Sequence, residues 1–481
     1  PEIELVADGA IAANRTVLVT SAGKAKEVAQ VITTANPPTQ LTVSQTATSV
    51  TSSRIGYDPA RSMTFVIWRD SANDCNIRAY SWDDAALVLN NPHTTTEIAS
   101  SGVESVVSFA SHPTNGYHFA CWKSGNGNIT RGRMFNFASN GQPSTGSDQD
   151  ISASYTQASY SNGRNIIYSP DDDKFVFLYW DSGHCYCKVL TPDYTNKSVS
   201  AGSAVAVLTN TSDVDIFYDE YSNKVIAGGW KNNYWQVKIG TISGTSISWS
   251  TTTYVAGDGN AQNNGSWISI GGEPDTGKLL FAWMNLDPSG NYLGKCKVGS
   301  ISGGNSFVLG SETTHETTTG GTSRNRLFYD PTIGKLVLIY NQAGTSIRIK
   351  TFTISGTTPT FTTALSFSAS QMGNPWMVYH PTLKRWAYVY ALSTNQNANT
   401  LYTGGSTTNL TTENFIGFSS AAYSDGNTAT INVVGNTTTQ SSLTPGEKYY
   451  ITNTGDLSTT AATPSVEAGV ALSSTKLLIK G

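Results

Sequence analysis

The residues best suited to chemistry are few and scattered. "HCYC" at 184–187 brings one imidazole and two thiols together. Alternation along an extended chain puts Cys185 and Cys187 on one face and His184 on the other. That offers at most two ligands from one face to a zinc ion, which needs about four. Metal binding is not expected here, and the thiols are expected to fill a core. Asp171, Asp172 and Asp173 are adjacent carboxylates, but a calcium loop calls for alternating oxygen donors and a bidentate Glu further on. The six histidines, His93, His112, His118, His184, His315 and His380, are dispersed. No nucleophile elbow, phosphate-binding Gly-rich loop or HExxH helix is present. No catalytic, cofactor-binding or metal-binding residue is therefore assigned, and no enzyme activity is expected. Aromatic side chains remain. Tyr234 and Trp235 in "KNNYWQ" and Trp82 in "YSWDD" are the candidates for stacking on a sugar face, which an exposed ring can do.

Trp68, Trp122, Trp180, Trp230 and Trp283 look like further candidates until their spacing is read. Each closes a copy of one sentence: "GYDPARSMTFVIW", "ASHPTNGYHFACW", "YSPDDDKFVFLYW", "YDEYSNKVIAGGW" and "GGEPDTGKLLFAW". Two more copies, "FYDPTIGKLVLIYN" and "YHPTLKRWAYVYA", bring the number to seven. The proline column falls at 59, 113, 170, 220 (a Glu), 274, 331 and 381, with successive spacings of 54, 57, 50, 54, 57 and 50. A period of that size marks a repeat architecture rather than a string of separate domains. Tryptophans held in register are expected to pack between repeats.

Within a copy, Pro presets the turn and its Asp, Asn or Ser neighbour bonds the turn backbone. An aromatic and branched aliphatic run follows, as in a strand buried on both faces. Third strands such as "IRIKTFTISG" and "YWQVKIGTISG" come next, then fourth strands such as "TFTTALSFS" and "SISWSTTTYV". Four strands per repeat fit a propeller blade. The seventh copy lacks a convincing fourth strand, whereas "TQLTVSQTAT" at 39–48 precedes the first. The sequence thus predicts an all-β, seven-bladed β-propeller over 39–404, closed by an N-terminal strand that satisfies the open edge. Residues 1–38 read as a β-hairpin with "ANPP" as a linker, and 405–481 as a small β module that pairs with that hairpin in one base.

Composition agrees. Charged residues are 13% of the chain, about half the usual share of roughly 25%. A net charge of −4 supplies no basic field for nucleic acid, and no apolar run approaches the roughly 20 residues of a membrane-spanning helix. Five cysteines make no disulfide framework. The opening "PEIELVADGAIAANRTVLVT" has no basic segment followed by an apolar core, so no secretory signal is expected and the chain reads as made in a cytosol.

The terminal segments carry a resemblance. "LTPGEKYYITNTGDLST" with "PSVEAGVALSSTKLLIKG" resembles the C-terminal module of fibre and other virion structural proteins of tailed bacteriophages, and "VADGAIAANRTVLVTSAGKAKEV" is similar to the Gly-rich hairpin such proteins carry. The repeats show no WD40, kelch or sialidase signature. The resemblance implies a virion protein assembled in the host cytoplasm, a homotrimer as fibre proteins commonly are, joined to other virion proteins through the terminal module. The expected function is a tail-fibre adhesin presenting its propeller to host surface polysaccharide, since loops on a rigid scaffold are how binding surfaces are mounted. The alternatives are a non-catalytic capsid or tail decoration protein, and a glycan-degrading tailspike, which would need two carboxylates facing each other at roughly 5 to 10 Å.

Overall fold

Short runs of β-branched and aromatic residues between turn residues leave no length for helices, and the described chain consists of antiparallel sheets and turns. The computed structural model describes all residues except 49, 84–87, 93–94, 100–101, 104–107, 126–128, 153–163, 182, 232–233, 259–267, 287–291, 318–321, 343–345, 369–374, 393–394 and 481. Two compact units are formed, Thr34–Thr403 and Pro1–Thr33 with Gly404–Gly481.

The larger unit is a β-propeller of four- and five-stranded sheets. In the sixth repeat Thr322–Asp330, Lys335–Gln342 and Ser346–Ser355 lie side by side, and the outer edge is shared by Thr358–Phe361 and Leu365–Ser368. The outer strand is divided in this way in most repeats, while Ser306–Glu316 in the fifth is continuous and bulged. Second strands are buried almost end to end, as Lys335–Gln342 shows. The in-register tryptophans pack as expected: Trp122 lies among Phe65, Ile67 and Ile77 of the preceding repeat, and Trp283 is fully buried beside Ile226 and Val237.

The first hairpin of every repeat is built on the same turn. The residue before the proline column caps it: Asp58 Oδ1 accepts from the Ala60 amide at 2.8 Å, Asp330 Oδ1 from Thr332 at 2.9 Å, and His112 Nδ1 from Thr114 at 3.2 Å. Four residues further on, Ser62, Gly116, Asp173, Asn223, Gly277, Gly334 and Lys384 all have φ between 51° and 75°. This left-handed position suits glycine and strains other residues, yet glycine fills only three of the seven.

The seventh-repeat strands Trp376–His380, Arg385–Leu392 and Asn395–Thr408 are followed at the outer edge by Gln30–Thr48. The "ANPP" segment, expected as a linker, follows directly on the boundary between the two units along the chain and is extended as part of this strand, which an edge position permits because a proline there removes no inner ladder bond.

In the terminal unit one sheet has the order Glu2–Val6, Thr428–Asn432, Phe415–Ser419, Thr16–Val19, Ala25–Glu27, so segments from both ends alternate. The N-terminal hairpin is Thr16–Val19 with Ala25–Glu27. A second sheet is built from Thr437–Thr439, Lys476–Ile479, Glu467–Ser473, Lys448–Ile451 and Leu457–Ser458. Leu18, Phe418, Tyr449, Ile451 and Leu477 share its core. No helix among the described residues is long and apolar enough to cross a membrane.

The turn makes a direct prediction. Lys384→Gly is expected to raise stability by about 0.5–1 kcal/mol, and Gly334→Ala to lower it by about 1 kcal/mol, read as shifts of the urea midpoint at unchanged m-value.

Candidate functional site at the inner strands

The innermost strands mix apolar and polar residues, and one column among them carries buried charges. Four residues before the capping position, successive repeats place Arg54, Ser108, Asn165, Asp215, Ser269, Arg326 and Trp376. Strand alternation aims this layer at the interior that the inner strands share. Arg54 and Arg326 are 1% exposed and Asp215 is 0% exposed.

Asp215 is the layer's acid. Its carboxylate accepts from the Arg164 amide at 2.7 Å and the Ile270 amide at 2.9 Å, and the Arg164 guanidinium stands 3.9 Å away. Burial pushes the carboxyl upward, and Arg164 and Arg326 pull against that shift. The Arg164 guanidinium itself donates to the carbonyls of Ile270 and Leu327, joining the third repeat to the fifth and sixth.

Among the described residues neither Arg54 nor Arg326 has such a partner. Both lie over the Trp376 ring, at 4.4 and 5.5 Å from its centroid, an attraction worth roughly 0.5–2 kcal/mol. Each uses one Nη1 on a neighbouring carbonyl, Ser53 for Arg54 and Asn325 for Arg326. The Nε and Nη2 of both have no hydrogen-bond partner. Burial, with Arg326 and Arg324 close by, holds Arg54 well below the ordinary guanidinium range. Burial likewise brings Arg326 to about 9, against the pull of Asp215.

The candidates from the sequence are distributed differently. Tyr234 opens the strand Tyr234–Ser243 and is 44% exposed, as a stacking residue must be. Trp235 is a correction: it is fully buried, 5.5 Å from Trp230, in the core with Val237, Ile270 and Phe281. Adjacent strand residues face opposite ways, so the two never offered one surface. The side chain of Trp82 and all of His93 lie outside the described residues. Cys185 and Cys187 are buried with Val176 and Val189, and burial raises both thiols far above their usual range. The acidic triplet is held in hydrogen bonds: Asp171 accepts from Tyr218 at 2.6 Å, Asp172 from Ser169 at 2.8 Å, and Asp173 from Tyr168 at 2.6 Å and from Tyr194. Among the described residues no group of three His, Cys, Asp or Glu side chains could hold a metal ion.

One grouping of catalytic type escapes the sequence because its members are far apart along the chain. His118 Nδ1 is 2.8 Å from Ser111 Oγ, and His118 Nε2 is 3.6 Å from Asp58 Oδ2. The imidazole is 0% exposed and boxed by Phe65, Phe135 and Phe137, so no substrate reaches it in this conformation. Burial lowers its pKa although Asp58 pulls the other way. The triplet joins the second repeat to the first.

No protein-family model matches the chain, and no curated protein sequence matches it. Solved structures similar to it include the periplasmic gluconolactonase PpgL of Pseudomonas aeruginosa, at 10% identity and a TM-score of 0.48 over 74% of this chain and 95% of that one. AofleA of Arthrobotrys oligospora is similar at 6% identity and a TM-score of 0.42, over 74% of this chain and 96% of that one. The β-propeller domain of the Trilobed protease of Pyrococcus furiosus is similar at 9% identity and a TM-score of 0.37, over 75% and 93%. No residue role is carried over from any of them.

Two predictions follow from the buried groups. Asp215→Ala, which strands Arg164 and two backbone amides, is expected to cost about 3–5 kcal/mol, measured by chemical denaturation. His315, buried against Tyr340 and Phe352, is lowered to about 3 by burial and by Lys350, with Glu316 opposing. The unfolded chain therefore takes up a proton near pH 6.5 that the folded chain refuses until about pH 3, and stability falls as pH drops through that window. His315→Phe should flatten the pH dependence of the urea midpoint there; an unchanged slope would count against this assignment.

Proposed function

We propose that the larger unit is a ring of seven blades, with the N-terminal strand Gln30–Thr48 completing the seventh. Two contacts support this. The inner strand of the first repeat lies against that of the seventh, and the Tyr57 ring is 4.8 Å from the His380 ring across that junction.

On this ring the protein works as a non-catalytic adhesin of a bacteriophage particle, a tail-fibre or receptor-binding protein that presents its propeller to host surface polysaccharide. It attaches to the particle through the terminal β unit, as a trimer. The observation that carries the binding reading is what the polar side chains of the turns do. Tyr218 with Asp171, Tyr329 with Asp275 at 2.8 Å, Tyr379 with Thr332, and His118 with Asp58 all tie one repeat to the one before. These acids and hydroxyls stiffen a platform, and loops on a stiff platform make binding surfaces. Tyr234 offers an exposed aromatic face at the other end of its sheet from these turns, where it pairs with Lys231. The particle setting rests on the terminal segments "LTPGEKYYITNTGDLST" and "VADGAIAANRTVLVTSAGKAKEV".

Immunogold electron microscopy of particles from the protein's source tests the setting. Label at the tail tip or fibres is expected; label over the capsid would make this a decoration protein, and unlabelled particles would sink the virion reading. For the binding itself, Tyr234→Ala is expected to weaken affinity for purified host polysaccharide about tenfold, equivalent to about 1.4 kcal/mol. Release of reducing ends by the intact protein would instead establish a glycan hydrolase.

A further inference from the structure

Among the described residues the inner polar layer has an imbalance of charge. Arg54 and Arg326 are buried there beside the partly buried Arg164, and Asp215 is the acid that pulls on Arg164 and Arg326. Asp215 is taken up by Arg164 and two amides. Arg54 and Arg326 are left facing Trp376 with the Nε and Nη2 of each unbonded. Desolvating a charge without a partner costs several kcal/mol, and here two like charges share one indole. Moreover, the two unbonded nitrogens on each guanidinium form its side edge, the pair of parallel N–H donors that matches the two oxygens of a carboxylate or phosphate.

We infer that the inner strands form an oxyanion site in which the side edges of Arg54 and Arg326 hold a carboxylate or an anion of like geometry beside the Trp376 ring. The indole fixes both guanidiniums without competing for their protons, because it attracts them through its π face and accepts no in-plane hydrogen bond. Ser53 and Asn325 carbonyls take Nη1 and so orient the unbonded edges. Asp215, already bonded, keeps Arg164 in place and leaves the Nε and Nη2 of Arg54 and Arg326 buried without a partner among the described residues. The site is independent of the virion reading. That reading would give it one source of ligand, the carboxylate of an acidic sugar, while a free small anion is the other.

The full-length chain, exchanged into a buffer of low anion strength, is titrated with sulfate, acetate and glucuronate while its thermal midpoint is followed. An equal ionic strength of sodium chloride serves as the reference. A saturable rise of several degrees beyond that reference is expected, because a ligand bound only by the folded state stabilises it by mass action. The rise should vanish in Arg54→Gln and in Arg326→Gln and persist in Arg61→Gln, whose side chain is at the surface. A response to glucuronate at much lower concentration than to acetate identifies the sugar acid; equal responses identify a free anion. Ion chromatography of the acid-denatured protein covers an anion retained through purification, and about one equivalent in the wild type with none in the variants supports the site. No response together with no retained anion overturns it, as does a response of equal size in the two variants.

Discussion

The structure depends on a single turn, used once per repeat. A side chain that caps its own backbone, followed four positions later by a left-handed residue, fixes the angle at which the inner strand hands over to the second strand. Since a buried strand pair tolerates no slip of register without turning its core face outward, the turn also fixes which side chains face the neighbouring repeat. The capping residue can be Asp, His, Ser or Glu, because each has a polar atom within reach of the turn. What is preserved is a geometry, and several residue types satisfy it.

From that geometry come the ties between repeats. A tyrosine stands immediately before the capping residue in five repeats, at 57, 168, 218, 329 and 379, and meets the turn of the preceding repeat each time. The two departures show what the tie requires. In the second repeat Ser111 is too short, and His118 from the adjacent strand reaches Asp58 instead. In the fifth, Gly271 and Gly272 replace bulk, because a Cβ there would meet Leu327 at 2.7 Å and Phe217 at 2.9 Å. Tyr221 of the fourth repeat lies forward over Gly277 in compensation. Contact is supplied from whichever side has room for a ring.

This explains how far the sequence could be read. The all-β class, the repeat and the buried second strands are local patterns of alternation and turn residues, and they are visible in strings such as "KLVLIYN". The N-terminal hairpin was legible in the same way. Trp235 was misjudged because being off the repeat register was taken as a sign of exposure, whereas its strand partner Trp230 covers it. The prolines of "ANPP" mark the neighbourhood of the boundary between the two units but not the extended strand that runs through them, because an outer-edge strand accommodates prolines. The Ser111, His118 and Asp58 grouping could not have been read from spacing alone, since the turn geometry creates it. The polar inner layer was legible in principle. Aligning the repeats on proline puts Arg, Ser, Asn, Asp, Ser, Arg and Trp in one column among apolar neighbours; searching for clusters close in sequence concealed it.

That column is also where the physical argument is tightest. At Glu316 buried charge is matched: its carboxylate takes Arg348 at 2.7 Å, Lys350 at 3.6 Å and the Tyr340 hydroxyl at 2.7 Å. The chain as a whole is acidic, at −4, so carboxylates were available to neutralise an inner arginine. In the layer that the inner strands contribute, one acid stands against three guanidiniums among the described residues, and an indole lies beside the two that it does not bond. An apolar residue at either arginine would have packed there at lower cost. A fold that could have filled its interior with leucine instead keeps two unbonded guanidinium edges in it, and the chemistry those edges fit is that of an oxyanion.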